Sequence, residues 1–537
     1  MHWWNKIVYY GLWTPPLTFL ALLLIFEHFS SHKSLNINTY FLCFIFSLLP
    51  ALIIYSYNEL AYKNGKRDFH ILDFLSFSTS QYYRPSTKQE ATYPTTNEAL
   101  RYKKPEGIVF GKSKGSYICR SIHEDGHVFV IGGAGSGKSS CLVIPTLLTN
   151  PDTSIFAIDI KGELSFKSSK YGNPHDLIFN PCNRRSYGYN PFYNLNEDST
   201  NQEILEAMQN IAFSLISMSA GLKDPFWKTS ARNLLIGLST FYYKHESKDF
   251  ITIIDLILSQ PVKESIARVM NEATPNSTEY RYTVQFSDMS DETLSGVFAE
   301  LANHIVIFAN DQDIRYALKD NPQKLEPTDL NIGYSIYLSI KEEKLSSYYD
   351  LLQLIINQTI AEMEKRPEDS KPILFIIDEL PRILSAGKLD RLLDGARTLR
   401  SRRVIFFLIT QSTEALMSAF TEKEVYDLIS NCPYIMVLSA TSVETQNAVI
   451  AWCGKYLEKK QTISGTGSKR TTSVTFEQQP IVESSDLMTL PQTGEAILIS
   501  PYGYNRIRKL PYYSDKYFKP LSDEIITYNK TILEMEE

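Results

Sequence analysis

The amino-acid sequence predicts an α/β fold that carries an inserted all-α domain and is preceded by two membrane-spanning helices. Three observations support this fold class: short apolar strand-like runs recur from Gly126 onward, a helical stretch interrupts them, and two long uncharged runs lie near the amino terminus. The chain has 537 residues, a length that predicts two or three domains. Its net charge of −6 excludes a simple basic coat protein for nucleic acid but leaves a local DNA-binding channel possible.

Residues 1–62 are predicted to form a membrane anchor. The uncharged runs Ile7–Phe26 and Tyr40–Tyr57 are each long enough, as helices, to cross the roughly 30 Å hydrocarbon core of a bilayer. A cleaved signal peptide is the alternative, and it is disfavoured because no small-x-small cleavage site precedes Glu27. Lys6 before the first run and the basic residues after the second predict that both ends, and the bulk of the chain, are cytoplasmic.

The α/β part is predicted from seven short apolar runs, which are typical of strands buried on both faces of a largely parallel sheet. They are His127–Ile131, Ser154–Ile160, Ser335–Ile340, Ile373–Ile377, Val404–Thr410, Tyr434–Ser439 and Ala496–Ser500.

Helical spacing of apolar residues marks the stretch between the second and third of these runs. It is found in Asn201–Ser219, Asp224–Tyr243, Thr252–Ser259 and Asp291–Asn310. We therefore expect an all-α domain at residues 196–305, inserted into a discontinuous α/β domain of residues 63–195 and 306–537. A polar loop is expected at Ser464–Ser473, and the six scattered cysteines contain no C-x-x-C pair, which disfavours a zinc ribbon.

Residues Gly132–Ser139 have the sequence GGAGSGKS, which matches the phosphate-binding motif G-x-x-x-x-G-K-[ST]. Glycines let backbone N–H groups surround the phosphates of ATP, and a following helix adds positive potential. Lys138 is expected to bridge the β- and γ-phosphates, and the Ser139 hydroxyl to bind Mg²⁺. A simple glycine-rich turn is the alternative, disfavoured by the strand before the motif and the helix after it. The predicted ATP-binding residues are Gly132, Gly133, Ala134, Gly135, Ser136, Gly137, Lys138, Ser139 and Ser140.

Polar side chains that follow two of the apolar runs are predicted to complete the site. Asp378 is expected to hold Mg²⁺ through water, and Glu379 to polarise the attacking water. Acidic residues are common at strand ends, so this pair is informative only together with the phosphate-binding loop. Gln411 is expected to contact the γ-phosphate or the nucleophilic water, with a simple strand cap as the alternative.

Four arginines lie in the run Arg397–Arg403, directly before the fifth apolar run. A solvated basic helix end is one interpretation of this run. In a ring-shaped ATPase, an arginine at this place reaches the nucleotide of the neighbouring subunit and stabilises transition-state charge. The residues alone leave both interpretations open.

Taken in chain order, these features resemble the type IV secretion system coupling proteins, the TraG/TraD-like ATPases of bacterial conjugation. The resemblance covers nearly the whole chain and includes the anchor and the phosphate-binding loop. The further motifs that carry it are Val143–Leu148, Asp159–Leu164, Tyr189–Phe192, Asp224–Trp227, Ile377–Leu380, Thr410–Ser412, Leu487–Pro491 and Gly494–Ile499.

The resemblance implies a RecA-like P-loop NTPase domain with an all-α insertion, assembled as a homo-hexamer at the bacterial inner membrane. Such proteins use ATP and Mg²⁺ to pass relaxase-bound single-stranded DNA, or protein effectors, to the secretion channel. It assigns catalytic roles to Lys138, Glu379 and Gln411, and a metal-binding role to Asp378 with Ser139. Arg400 best matches the trans-acting arginine of the family, with two other arginines of the same run, Arg397 and Arg402, as rivals.

Two other functions were weighed against this one. An FtsK- or HerA-like DNA translocase is disfavoured by Asp224–Trp227, which opens the helical insertion as in coupling proteins. A non-catalytic membrane docking platform is disfavoured because Glu379 and Gln411 are both present. A basic stretch is expected either to contact DNA phosphates or to be a solvated loop. Its residues are Lys455, Lys459, Lys460, Lys469 and Arg470.

Overall fold

The computed structural model describes four ranges of the chain, together with Phe44, Ser47 and Leu48. The ranges are 98–218, 224–384, 388–464 and 471–536. Apart from those three residues, the predicted membrane spans at 7–26 and 40–57 lie outside the described part of the chain. Within that part, no helix has both the length and the apolar character needed to cross a membrane.

The chain divides into two compact units, a smaller one of residues 1–101 and 454–481 and a larger one of residues 102–453 and 482–537. The strands of both are β1 (Arg101–Tyr102), β2 (Ile108–Ser113), β3 (Ser116–Arg120), β4 (Val128–Ile131), β5 (Ser154–Ile158), β6 (Asp176–Phe179), β7 (Gly188–Tyr189), β8 (Lys324–Leu325), β9 (Ser335–Leu338), β10 (Ile373–Ile377), β11 (Val404–Thr410), β12 (Tyr434–Val437), β13 (Lys455–Ser464), β14 (Thr471–Pro480), β15 (Glu495–Ser500) and β16 (Gly503–Arg508).

The larger unit is built on one sheet with the strand order β3-β2-β16-β15-β12-β4-β11-β10-β5-β9-β6. The seven strands from β12 to β6 run parallel, and the four on the other side of β12 are antiparallel. Every residue of β4, β5, β9, β10, β11 and β12 is buried. Strands covered on both faces need apolar side chains on both, which explains the near-continuous apolar runs of the sequence.

Each of the seven predicted runs contains one strand of this sheet, so the predicted largely parallel α/β sheet is confirmed. The prediction missed the antiparallel extension β2, β3 and β16. These strands mix apolar and polar residues, and β16 joins β2 to the sheet from nearly 400 residues away in the chain.

The helices of the described residues are α1 (Ile144–Thr149), α2 (Glu163–Ser168), α3 (Asn201–Leu215), α4 (Phe226–His245), α5 (Phe250–Ser259), α6 (Val262–Glu272), α7 (Thr278–Val284), α8 (Asp291–Asn310), α9 (Gln312–Arg315), α10 (Tyr349–Met363), α11 (Leu380–Ile383), α12 (Asp390–Thr398), α13 (Glu422–Ser430), α14 (Val443–Cys453), α15 (Ser484–Thr493) and α16 (Phe518–Glu536). Helices α3 to α9 all lie between β7 and β8, which pair in parallel and so bring the two ends of the helical segment together.

Local capping explains where the long helices of this segment begin. At the start of α3, the Thr200 hydroxyl accepts from the Glu203 N–H while the Glu203 carboxylate accepts from the Thr200 N–H. At the starts of α5 and α8, the side chains of Asp249 and Ser290 likewise accept from the backbone N–H three residues later. Helical structure extends past Asn310 to Asp320. The domain boundaries at 196 and 305 stay a prediction.

In the smaller unit, β13 and β14 form an antiparallel hairpin of ten residue pairs. The sequence predicted a polar loop at Ser464–Ser473, and this prediction was wrong at both ends, because Ser464 ends β13 and Thr471 already begins β14. β-Branched residues such as Thr472 and Val474 favour extended backbone despite the polarity of the segment. Of the basic stretch, Lys455, Lys459 and Lys460 lie on β13, and Lys469 and Arg470 lie outside the described residues.

Candidate nucleotide-binding site

The phosphate-binding loop Gly132–Ser139 follows β4 at the carboxyl edge of the parallel strands. There the Gly132 N–H donates to the Thr410 carbonyl at 3.0 Å, and Thr410 pairs with Ile131. β10 ends beside β11 at the same edge, with Ile377 opposite Leu408. The parallel register therefore brings the loop and the residues that follow β10 and β11 together.

Two backbone positions in the loop favour glycine. Gly135 and Gly137 have φ angles of +70° and +96°, a region that side chains disfavour. A Cβ atom on Gly137 would also lie 2.7 Å from the Cys141 Sγ. The loop is also hydrogen-bonded to the segment that follows β12, since the Gly133 N–H donates to the Ser439 Oγ at 2.9 Å. These features hold the backbone in a tight curve that suits a phosphate chain.

The side chain of Lys138 turns back over the loop. Lys138 is 8% exposed, and its Nζ donates to the Gly132 carbonyl at 3.0 Å. Burial lowers the pKa of this ammonium group, while the nearby Asp378 and Glu379 carboxylates oppose that shift. The ammonium group is thus already placed at the mouth of the loop, where phosphate oxygens can replace a carbonyl as its partner.

Asp378 lies across from the loop. Its Oδ2 accepts from the Ser139 hydroxyl at 3.2 Å, and burial raises its pKa to about 6, against the effect of Lys138. Among the described residues, its Oδ1 and the buried Oγ of Ser136 have no hydrogen-bond partner. Unpartnered polar atoms are costly inside a protein, so this site is built to receive a ligand with charge and hydrogen-bonding groups.

Glu379 has a φ angle of +57°, the left-handed region, which is strained for a residue with a side chain. Its Oε2 lies 2.8 Å from the Nε of Arg382, and the same guanidinium donates to Glu342. Arg382 is therefore an ion-pair partner of the Glu379 carboxylate. Sequence reasoning missed this residue, because nothing in its neighbourhood distinguishes it from an ordinary surface arginine.

Loop residues Ala134–Ser139 and the two carboxylates line one pocket of about 330 Å³, whereas the predicted Gly132 and Gly133 are not among the described residues that line it. The other residues lining it are Ser140, Ile144, Asp159, Ile160, Lys161, Glu163, Leu164, Lys167, Tyr512 and Tyr513. Asp159 follows β5 and accepts from the Ser165 N–H at 2.9 Å and the Ser165 hydroxyl at 3.0 Å, while burial raises its pKa. It had no predicted role, although a carboxylate after a buried strand is the signal that identified Asp378.

The remaining predicted residues lie at opposite edges of the sheet. Gln411 follows β11 on the carboxyl edge, beside the loop, and is exposed. Arg400 precedes β11, and the seven residues of that strand place it about 20 Å from Gln411. It is therefore outside its own chain's pocket. Of its rivals, Arg397 binds Asp427 at 2.9 Å and Arg402 donates to the Arg366 carbonyl.

Residues 86–534 match the family described as type IV secretory system conjugative DNA transfer. The chain belongs to this family. The match confirms the resemblance to type IV coupling proteins that the motifs indicated.

Two relatives illustrate the family. The protein VirD4 of Agrobacterium fabrum (strain C58) is 22% identical over 438 residues, which are 78% of this chain and 64% of the relative. The type IV secretion system-coupling protein VirD4 of Bartonella quintana (strain Toulouse) is 22% identical over 70% of this chain and 60% of the relative. This chain thus matches less than two thirds of the length of either relative.

Solved structures of the bacterial conjugative coupling protein TrwB share the fold. An unbound form has a TM-score of 0.61 at 17% identity over 76% of this chain and 89% of the other. A form with the non-hydrolysable ATP analogue ADPNP has a TM-score of 0.60 at 16% identity over 81% and 96%. The likeness confirms the RecA-like α/β fold class.

Proposed function

We propose that this protein is an ATP-hydrolysing coupling protein of a type IV secretion system that drives the transfer of DNA during conjugation. The observation that carries the proposal is Asp378, a buried carboxylate that faces Lys138 in one pocket. One of its oxygens is bound by Ser139, and the other has no hydrogen-bond partner in the described part of the chain. Family membership supports the biological setting, and the TrwB form with ADP and Mg²⁺ supports the choice of ligands.

The residues of the pocket fit Mg²⁺ and ATP. Lys138 and the loop amides hold phosphate oxygens, while the Ser139 hydroxyl and Asp378 provide the oxygen ligands that Mg²⁺ prefers. When bound, Mg²⁺ neutralises charge that develops on the phosphates. Glu379 orients a water and accepts its proton, Arg382 keeps that carboxylate in place, and Gln411 senses the γ-phosphate from the neighbouring strand.

The wider assembly is part of the same proposal. Residues 1–62 anchor the chain in the bacterial inner membrane as two spans with the bulk cytoplasmic, and residues 196–305 form the inserted all-α domain. Six copies form a ring that receives relaxase-bound single-stranded DNA or an effector protein and passes it to the secretion channel. Arg400 acts on the neighbouring subunit's nucleotide, which its distance from its own pocket supports. A truncated chain of residues 63–537 should no longer sediment with membranes. If it sediments as completely as the full chain does, the proposed anchor is refuted.

The central test measures ATP hydrolysis by the full chain in detergent, with and without single-stranded DNA. Lys138→Ala and Glu379→Gln are each expected to lower kcat by about 100-fold or more, because they remove charge stabilisation and the general base. Lys423→Ala and Glu422→Gln change the same residue types at exposed positions of α13 and serve as controls. Unchanged turnover in both pocket variants would refute the proposal. ATP binding without hydrolysis by the wild type would favour a docking platform.

A further inference from the structure

The segment that follows β16 reaches the nucleotide pocket and is held there from both sides. Before it, the Lys509 Nζ donates to the Leu438 carbonyl at 3.0 Å. After it, the buried Asp515 carboxylate accepts from the Tyr117 hydroxyl at 2.9 Å, from the Tyr517 N–H at 2.8 Å and from Lys112. These contacts fix the position of the short helical turn Tyr512–Ser514 between them.

The turn presents to the pocket two tyrosines that differ in exposure. Tyr512 is 8% exposed and Tyr513 is 56% exposed, although both line the pocket. Their ring centroids are 5.3 Å apart and the ring planes are nearly perpendicular, at 81°. The two rings therefore pack edge to face, and Tyr513 keeps a large part of its side chain exposed to solvent.

The position of the turn relative to the loop determines which part of a nucleotide it can meet. The turn packs against Ser139–Val143, the first helical turn after the phosphate-binding loop. Asp378 and Glu379, by contrast, follow β10, where hydrolysis would occur. A base is separated from its phosphates by the ribose, so it must leave the loop on the side away from the carboxylates.

We propose that Tyr513, supported by Tyr512, is the stacking platform for the purine base of the nucleotide held by the phosphate-binding loop. The proposal rests on the nucleotide-binding function proposed above and adds the base subsite to it. Stacking on an aromatic ring strengthens binding and tolerates different bases, because every base has a π-face. The subsite therefore strengthens nucleotide binding and discriminates weakly between ATP and GTP.

The experiment compares the affinity of the full chain for ATP and for inorganic tripolyphosphate by calorimetry. Tyr513→Ala is expected to weaken ATP binding by about 10-fold and to leave tripolyphosphate binding unchanged, because only ATP carries a base. Tyr513→Phe should restore ATP affinity, since the ring is retained. In hydrolysis assays, Tyr513→Ala should raise KM and leave kcat unchanged. Tyr502→Ala, an exposed tyrosine between β15 and β16, is the control.

The possible outcomes separate this proposal from the function on which it rests. Unchanged ATP affinity in Tyr513→Ala, or an equal loss for ATP and tripolyphosphate, would overturn the base subsite while leaving nucleotide binding intact. Lys138→Ala should weaken both ligands. A wild-type chain that binds neither ATP nor tripolyphosphate would overturn both proposals.

Discussion

His127, directly before β4, makes a quantitative prediction about the pH dependence of stability. The residue is fully buried, its Nδ1 accepts from the Phe406 N–H at 3.0 Å, and its Nε2 lies 2.9 Å from the Ala396 carbonyl. An Nδ1 that accepts cannot carry a proton, so the ring is neutral and Nε2 donates. Burial, helped by the nearby Arg120 and Arg400 and opposed by the Ala396 carbonyl, lowers the pKa of His127 from its ordinary 6.5 to about 4.

The sign of the effect follows from proton uptake. Because the pKa of His127 is lower in the folded chain, the unfolded chain binds the proton first, and the folded state loses stability as the pH falls from 6.5 towards 4. Between about pH 7.5 and about pH 5, this one group is expected to remove about 2 kcal/mol from the free energy of unfolding. Protonation would also break the hydrogen bond from Phe406.

The assay is urea denaturation of the full chain at both pH values, compared with His127→Gln. Glutamine can still accept from the Phe406 N–H and donate to the Ala396 carbonyl, but it does not titrate in this range. The wild type should lose about 2 kcal/mol more than the variant on acidification. Equal losses in both proteins would refute the reasoning, because the carboxylates common to both would then account for the whole pH dependence.

Two further predictions concern the phosphate-binding loop and Arg400. Gly137→Ala should abolish ATP binding because its Cβ would lie 2.7 Å from the Cys141 Sγ. A Cβ on Gly135 would have no neighbour within 4 Å among the described residues, so Gly135→Ala should cost only about 1 kcal/mol of stability through backbone strain. Isothermal calorimetry measures the loss of ATP affinity, and thermal unfolding measures the loss of stability. Equal losses in the two glycine variants would contradict the explanation. Arg400→Ala should lower kcat by about 1,000-fold or more without changing ATP affinity. Mixing it with Lys138→Ala subunits should restore activity, and no recovery would exclude action between subunits.

The sequence alone predicted the part of the site that is contiguous with buried parallel strands. β10 and β11 have the predicted bounds, and the residues after them, Asp378 and Gln411, follow at the same edge of the sheet as the phosphate-binding loop. This was possible because a strand covered on both faces must be apolar throughout. The chemistry of phosphate binding likewise depends on glycines, Lys138 and Ser139 within one short segment, so a local pattern determines it.

Other features required the tertiary structure. Tyr513 comes to the loop from a segment remote in the chain, and Arg382 acquires its role only because it contacts Glu379 and Glu342. Likewise, strand direction puts Arg400 at the edge opposite the loop although it lies only eleven positions before Gln411. The sequence thus determined which groups are the candidates for phosphate binding, because that pattern is local. The tertiary structure decided what surrounds them, because that depends on strand order and on packing between distant segments.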